Sequence, residues 1–270
     1  MIGRGLPMAG VWGIRHGRAM TALRTEWQAG SDVGAVRRLN EDSWHADGQA
    51  GLWAVADGMG GLSAGDRASR TIAGALAGVG RRGDLETLLD DATRAIHAAN
   101  GAIHSESLVA GARMGSTVVA LAIVDRRFGV LWAGDSRAYL LRGRRLHRLT
   151  RDHSQVQEMV DRGLLAPEAA AGHPLGHVLS RAIGVEPSVE IASVIDTAAD
   201  GDVFLLCSDG LHGLLSDDEI AGVLERANGD APATLIRHCL ARGAPDNVTI
   251  VTIALDETTA LIFQPADTVQ

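Results

Sequence analysis

Lysine is missing from the chain altogether, tyrosine occurs once and cysteine twice, and aromatic residues make up only 3% of the 270 positions. Every cation other than histidine is therefore an arginine, which by itself assigns no function. The two cysteines, Cys207 in an apolar run and Cys239 in a helical pattern, build no disulfide framework and match no zinc spacing. Reduced, buried thiols are the expectation, and with them a cytoplasmic location. No apolar run reaches the roughly 18 residues of a membrane span, and residues 6–14 are too broken for the core of a signal peptide. A soluble protein with no membrane span is expected. A basic balance is lacking too: the formal charge of −8 argues against a nucleic-acid partner, which would ask for a net basic surface. The one local exception, Arg142-Gly-Arg-Arg-Leu-His-Arg148, lies between two strand patterns and reads as a solvated hairpin.

What is present is an ordinary globular composition, with 46% hydrophobic and 21% charged residues, enough for a sizeable core. Even spacing of the motifs favours one large domain, expected over residues 23–256. Residues 1–22, rich in Gly and Arg and without periodicity, are expected to be a flexible extension, and residues 257–270 a tail.

The chain is organised around Ala54-Val55-Ala56-Asp57-Gly58-Met59-Gly60-Gly61, an apolar run that ends in one carboxylate followed by three glycines. Residues 52–56 read as a buried strand, the glycines as a turn, and Ser63-Ala-Gly-Asp66 as a capping box that opens a helix. An Asp in such a turn can merely bind neighbouring amides. Recurrence points further: Asp135 follows the apolar run 128–133, Asp209 follows 203–208, and Asp246 precedes 248–254. Acids at strand ends that share one edge would form a cluster stable only with cations. Carboxylate oxygens without Cys or His select a hard ion, Mg²⁺ or Mn²⁺.

Two one-sided apolar stripes follow the first turn. Ala64, Ala68, Ile72, Leu76 and Val79 form one; Leu85, Leu88, Leu89, Ala92, Ile96, Ala99 and Ile103 form the other, and the two predict a helix pair on one face of a sheet. Residues 117–124 are apolar throughout, as in a strand covered on both faces. Further strands are expected at 27–33, 43–46, 128–133, 138–141, 188–194 and 203–207, with helices starting at the capping boxes Ser154 to Gln157 and Ser216 to Glu219 and at Pro232. His173 and His177 are four apart, but Pro174 breaks the helix that would make them a metal face.

Five ordered blocks resemble the metal-dependent PP2C-type (PPM) Ser/Thr phosphatases of bacteria: Ser31-Asp-Val-Gly-Ala-Val-Arg37-Arg-Leu-Asn40-Glu41-Asp42-Ser43, Ala56-Asp-Gly-Met-Gly-Gly61, Gly134-Asp-Ser-Arg137, Cys207-Ser-Asp-Gly210 and Asp246-Asn247. The similarity runs from about residue 26 to 255. It implies an α+β fold, an αββα sandwich of two antiparallel sheets flanked by helix pairs. It implies hydrolysis of phosphoserine and phosphothreonine by attack of a metal-activated water, with Asp57, the Gly58 carbonyl, Asp209 and Asp246 holding two Mn²⁺ or Mg²⁺ ions. Asp135 with Asp209 would hold a third, weaker ion. Arg37 would grip the phosphate, although without the resemblance a surface salt bridge would be preferred for it. Asp42, Glu41 and Asn247 would support the ligands from behind, and residues 152–187 would be a flap beside the site. Phosphorylated proteins are the implied substrates, an opposing bacterial Ser/Thr kinase the implied partner, and a monomer the expected state.

The chain departs from the family where a His often follows the Asp-Gly pair or the glycines: Met59 and Leu62 stand there, and neither can donate a proton. Two other readings stay open. One is a catalytically silent binding module on the same fold; the other is a nucleotide-binding protein using Gly58 to Gly61, against which no Lys-Ser/Thr follows the glycines.

Overall fold

A computed structural model describes residues 18–60, 64–170, 173–226 and 230–262. In chain order the elements are β1 (Arg18–Asp32), β2 (Asp42–Asp47), β3 (Leu52–Met59), α1 (Ala64–Ala77), α2 (Leu85–Ala110), β4 (Gly115–Ser116), β5 (Val118–Val124), β6 (Arg127–Ala133), β7 (Arg137–Arg142), β8 (Arg145–Arg148), α3 (Gln155–Asp161), β9 (Ala192–Thr197), β10 (Val203–Cys207), α4 (Asp209–His212), α5 (Asp217–Arg226), α6 (Ala231–Ala241) and β11 (Val248–Ile262). One sheet has the order β1-β11-β10-β7-β8, the other β2-β3-β5-β6-β9 with β4 beside β3, and every pairing is antiparallel.

Alternation along the strands sorts side chains into three buried layers. In β5, Val118, Ala120 and Ala122 face α1 and α2, while Val119, Leu121 and Ile123 face the other sheet. Leu52, Ala54 and Ala56 of β3 join the helix layer and Trp53 and Val55 the layer between the sheets. That double burial is why these strands read as continuous apolar runs. The third layer packs Tyr139, Leu205, Cys207 and Ile250 against Leu211, Ile220, Leu235 and Cys239 from α4, α5 and α6. The result is the expected αββα sandwich. Cys207 and Cys239 are buried free thiols.

Local chemistry closes the elements as their sequences dictate. Asp84 accepts from the Thr87 amide at 2.8 Å to cap α2, and Gly111 ends it in the left-handed region at φ 60°. Ser154 caps α3 through the Gln157 amide at 3.2 Å. Ser216 and Glu219 make the reciprocal box at α5, 3.0 Å one way and 3.4 Å the other. The basic stretch 142–148 is the hairpin of β7 and β8. The box at Ser63 and the glycine Gly61 lie outside the described residues, as does Leu62.

Two boundaries differ from those expected. β1 and β11 pair from Arg18↔Ile262 to Asp32↔Val248, so a long ribbon reaches into both stretches that lacked periodicity; backbone pairing needs no apolar alternation there. The strand expected at 188–194 lies at Ala192–Thr197, because its register is set by β6, with Trp132 opposite Ala192 and Arg127 opposite Thr197. None of the described helices is long and apolar enough to cross a membrane.

Candidate metal centre

Antiparallel pairing brings the start of β2, the end of β3, the β6–β7 turn, the end of β10 and the start of β11 to one edge of the sandwich, because Asp42 pairs with Asp57, and Cys207 pairs with both Arg137 and Ile250. All the predicted acids therefore meet there. Each is fixed by its own backbone. The Asp57 amide donates to Thr117 Oγ1 at 3.1 Å and its carbonyl accepts from the Thr117 amide at 2.8 Å and from Ser116 Oγ at 2.9 Å. Thr117 also touches the Asp135 turn: its Oγ1 lies 2.6 Å from Ser136 Oγ, and a Cβ on Gly134, whose φ is +113°, would come within 2.6 Å of its side chain. Only glycine lets the two acid-bearing turns approach so closely.

Behind them, Ser208 Oγ donates to Asp42 Oδ2 at 2.8 Å and accepts from the Thr249 amide at 3.0 Å. Asn247 is a tie rather than a candidate ligand. Its Oδ1 accepts from the Glu41 amide at 2.8 Å, and its Nδ2 donates to the Val33 and Leu39 carbonyls at 2.9 and 3.1 Å, pinning the loop that carries Arg37, Glu41 and Asp42. Gly58 receives no side chain for a similar reason: a Cβ there would lie 2.1 Å from the Gly65 carbonyl oxygen and 2.6 Å from that of Glu41.

The electrostatics are those of concentrated like charge. Burial, and then the charges of Asp42, Asp209, Asp135 and Asp246, push the Asp57 carboxyl well above the usual carboxylate range. Burial drives Asp42 up to about 7, against hydrogen bonds from Thr249 and Ser208, and burial with the charge of Asp209 drives Asp135 up to about 7. Burial acts to raise Asp209 as well, yet His177 and His212 nearby and a hydrogen bond with the Asp57 carboxyl hold it below its ordinary value. The two carboxyls are thus driven apart, Asp57 upward and Asp209 downward. Cations of the chain itself engage the outer acids. Arg37 Nη2 lies 2.7 Å from Asp246 Oδ2, and His177 Nδ1 lies 3.5 Å from Asp209 Oδ2. Arg37 is thus in an ion pair, as the plain reading of its sequence context had it, but with one of the candidate ligands.

Among the described residues, no three His, Cys, Asp or Glu side chains are already gathered into a finished coordination shell. The donor chemistry nonetheless fits hard divalent ions. Glu41 Oε1 and Asp42 Oδ1 are buried without a hydrogen-bond partner, and the Asp57 and Asp209 carboxyls sit in mutual contact. Orphaned acid oxygens and protons forced onto carboxylates are what a cation would relieve.

Three features were not legible in the sequence. His177, set aside there as part of a broken helix, reaches the centre from the flap. Arg137 makes a bidentate pair with Asp152, with Nε at 3.0 and 3.2 Å and Nη2 at 2.6 Å, and its Nη1 donates to Tyr139 Oη at 3.1 Å. His212, whose burial beside Arg137 lowers it to about 4, donates through Nε2 to the Asp135 carbonyl at 3.0 Å. Pairs of this kind, far apart along the chain, carry no local signal. His153 of the flap is held within the wall beside the Asp135 turn. Burial and Arg181 lower it to about 4, its Nδ1 accepts from the Gly134 amide at 3.2 Å, and its ring stacks on Trp132 at 6.0 Å.

Residues 24–159 match the family model for Protein phosphatase 2C. The chain is 40% identical over 241 residues to the serine/threonine protein phosphatase PstP of Mycobacterium tuberculosis, the match spanning 86% of this chain and 45% of that one. It therefore covers about half the length of that relative. The serine/threonine phosphatase stp of Listeria monocytogenes is 32% identical over 241 residues, covering 84% of this chain and 95% of that one. Among solved structures, PppA, a regulatory component of T6SS in Pseudomonas aeruginosa, superposes with a TM-score of 0.81 at 36% identity over 87% of this chain and all of that one. The PstP catalytic domain in complex with two manganese ions does so with a TM-score of 0.77 at 37% identity, over 88% and 100%.

Proposed function

The chain belongs to the protein phosphatase 2C family, and we propose that it is a Mn²⁺- or Mg²⁺-dependent phosphatase that removes phosphate from serine and threonine in proteins. The observation that carries this is the contact of Asp57 with Asp209 inside a cluster of buried acids at one sandwich edge, a costly arrangement unless cations bind there. Asp57, the Gly58 carbonyl, Asp209 and Asp246 would hold two ions, and Asp135 with Asp209 a third. When bound, such ions supply the Lewis acidity that lets a water attack phosphorus near neutral pH.

The chain's own groups do the rest. Arg37, half exposed at the mouth, offers two N–H groups in the geometry that clamps phosphoryl oxygens and stabilises charge as it spreads over them. Asn247 fixes the loop on which Arg37 rides, so the clamp is aimed by three hydrogen bonds rather than by a free side chain. Asp42 and Glu41 present buried oxygens that orient what the first carboxylates hold. Cys207 takes no part: burial raises its thiol far above neutrality and it lies inside the third core layer.

A cytoplasmic monomer that opposes a Ser/Thr kinase is the physiological setting proposed. The name of the M. tuberculosis relative supports the substrate class. The test is phosphate release from phosphoserine and phosphothreonine peptides with and without Mn²⁺. Mn²⁺-dependent release is expected; none at any Mn²⁺ concentration would make the protein a binding module on this fold.

A further inference from the structure

Two cavities flank the carboxylate centre, and they differ in chemistry. One, of about 740 Å³, is lined by charged groups including Arg137, Arg148, Asp152 and Asp135. The other, of about 870 Å³, lies between the end of β3, the loop from α2 into β4, and residues 178–190. Its floor is apolar. A Cβ on Gly115 would meet Val185 Cγ2 at 2.9 Å and Met59 Cε at 3.0 Å, so both side chains pack directly over the bare glycine. Met114 is buried beside it, at 3% exposure, while Val185 leaves 48% of its surface open to the cavity mouth and solvent. The charges around this floor are balanced: Arg181 is paired with Glu190 at 3.0 Å, and Arg113 and Glu186 are both exposed with opposite signs.

His177 lines both cavities and stands 3.5 Å from Asp209; the first cavity reaches Asp135 and Asp209 themselves, and the second borders the centre through Met59 and Gly60, which follow Asp57-Gly58 in the chain. A phosphorylated residue held at the centre as part of a polypeptide has these two cavities beside it for its neighbours. We propose that the cavity floored by Met59, Gly115 and Val185 is a subsite for an apolar side chain flanking the phosphorylated residue of the protein substrate. Two methionines suit the task, being unbranched and able to adapt to side chains of different shape. Met59, which cannot donate a proton, serves this chain as a specificity element. The inference rests on the phosphatase reading.

Its test walks a single leucine through the positions on either side of phosphothreonine in a serine-rich peptide, with p-nitrophenyl phosphate as a substrate that has no polypeptide. At one position leucine is expected to raise kcat/KM about tenfold over serine, the gain of seating one such side chain. In Val185→Asp the same leucine-to-serine ratio should fall to within roughly twofold. In Leu108→Asp, a like charge on a side chain 70% exposed and outside the cavity, the ratio should persist. A flat leucine scan in an enzyme that still hydrolyses p-nitrophenyl phosphate overturns the subsite and leaves the phosphatase reading standing; no hydrolysis of either substrate type with Mn²⁺ overturns that reading instead. A preference that survives Val185→Asp, or that Leu108→Asp also removes, equally overturns the subsite.

Discussion

Replacing Asp135 by Asn should stabilise the metal-free protein, even though it deletes a residue placed at the centre. Asp135 is 8% exposed, no side chain of another described residue hydrogen-bonds its carboxylate, and its carboxyl is raised to about 7 from 3.8. The folded state therefore keeps a proton that the unfolded chain releases. For such a group stability is lost as pH rises from 3.8 through 7, the reverse of the usual ion-paired carboxylate. At about 1.36 kcal/mol per pH unit, the penalty at pH 8 approaches ~4 kcal/mol, and at pH 5 it is ~1.6 kcal/mol. Because Asp135 shares its repulsion with Asp209, part of this remains after substitution, and halving the figures gives roughly 2 and 1 kcal/mol.

Asn keeps the shape and cannot ionise, so in the presence of a chelator Asp135→Asn should melt above the wild type by roughly 4–8 °C at pH 8 and by less at pH 5. Calorimetry on both proteins at both pH values reads this directly. The comparison also cancels the opposing contribution of His153 and His212, which are lowered to about 4 and whose unfavourable neutrality below pH 6.5 is common to both chains. Adding Mn²⁺ should raise the wild type more than the variant, since only the wild type offers that charge to an ion. An Asn variant that melts below the wild type at pH 8, or a gap that does not change with pH, would refute the reading of a frustrated acid.

Asp57→Asn should cost more than roughly a hundredfold in Mn²⁺ affinity and remove phosphatase activity with it, and titration calorimetry giving the wild-type affinity would sink the metal assignment. In Arg37→Ala, kcat/KM on phosphopeptides should fall by about 10- to 100-fold, the worth of a charge-assisted phosphate contact, while Mn²⁺ binding holds or tightens because Asp246 loses its 2.7 Å partner; weakened Mn²⁺ binding would contradict this. Arg137→Ala leaves Asp152, 11% exposed, as a buried carboxylate with little compensation, so unfolding in urea should show a loss of about 3–5 kcal/mol; a loss under roughly 1 kcal/mol would show that the pair is not what holds the wall behind Asp135.

The layers of the fold were legible wherever burial acts on local periodicity. β5 and β3 are covered on both faces, and α1 and α2 on one, so their apolar patterns followed directly from packing. The far halves of β1 and β11 were not legible, because the pairing of Arg18–Asp32 with residues 248–262 is a ladder of backbone hydrogen bonds, which leaves no periodic mark in a sequence. β9 was misplaced for a related reason. Exposed positions such as Ile195, Asp196 and Thr197 give an edge strand little apolar alternation, and only its partner β6 fixes where it starts.

At the centre the balance is reversed, because the acids were legible for the very property that makes them poor structural residues. A carboxylate closing an apolar run is locally awkward, and Asp57, Asp135 and Asp209 each do it, whereas nothing local marked Ser208, whose hydroxyl donates to Asp42, and only the resemblance pointed to Asn247, which ties down residues 33–41. In the three buried layers the described apolar residues and the helix caps agree with the pattern of the sequence. At the centre Asp57 lies against Asp209 among further acids that push its carboxyl upward, and Glu41 and Asp42 leave buried oxygens unpaired. Four buried acids gathered at one edge concentrate unfavourable charge where a ligand can relieve it. The groups that line the approach to that edge obey no such rule. His177, Met59 and Val185 come together only through the fold of the flap, and so the part of the site that would choose among substrates is the part a single sequence hides best.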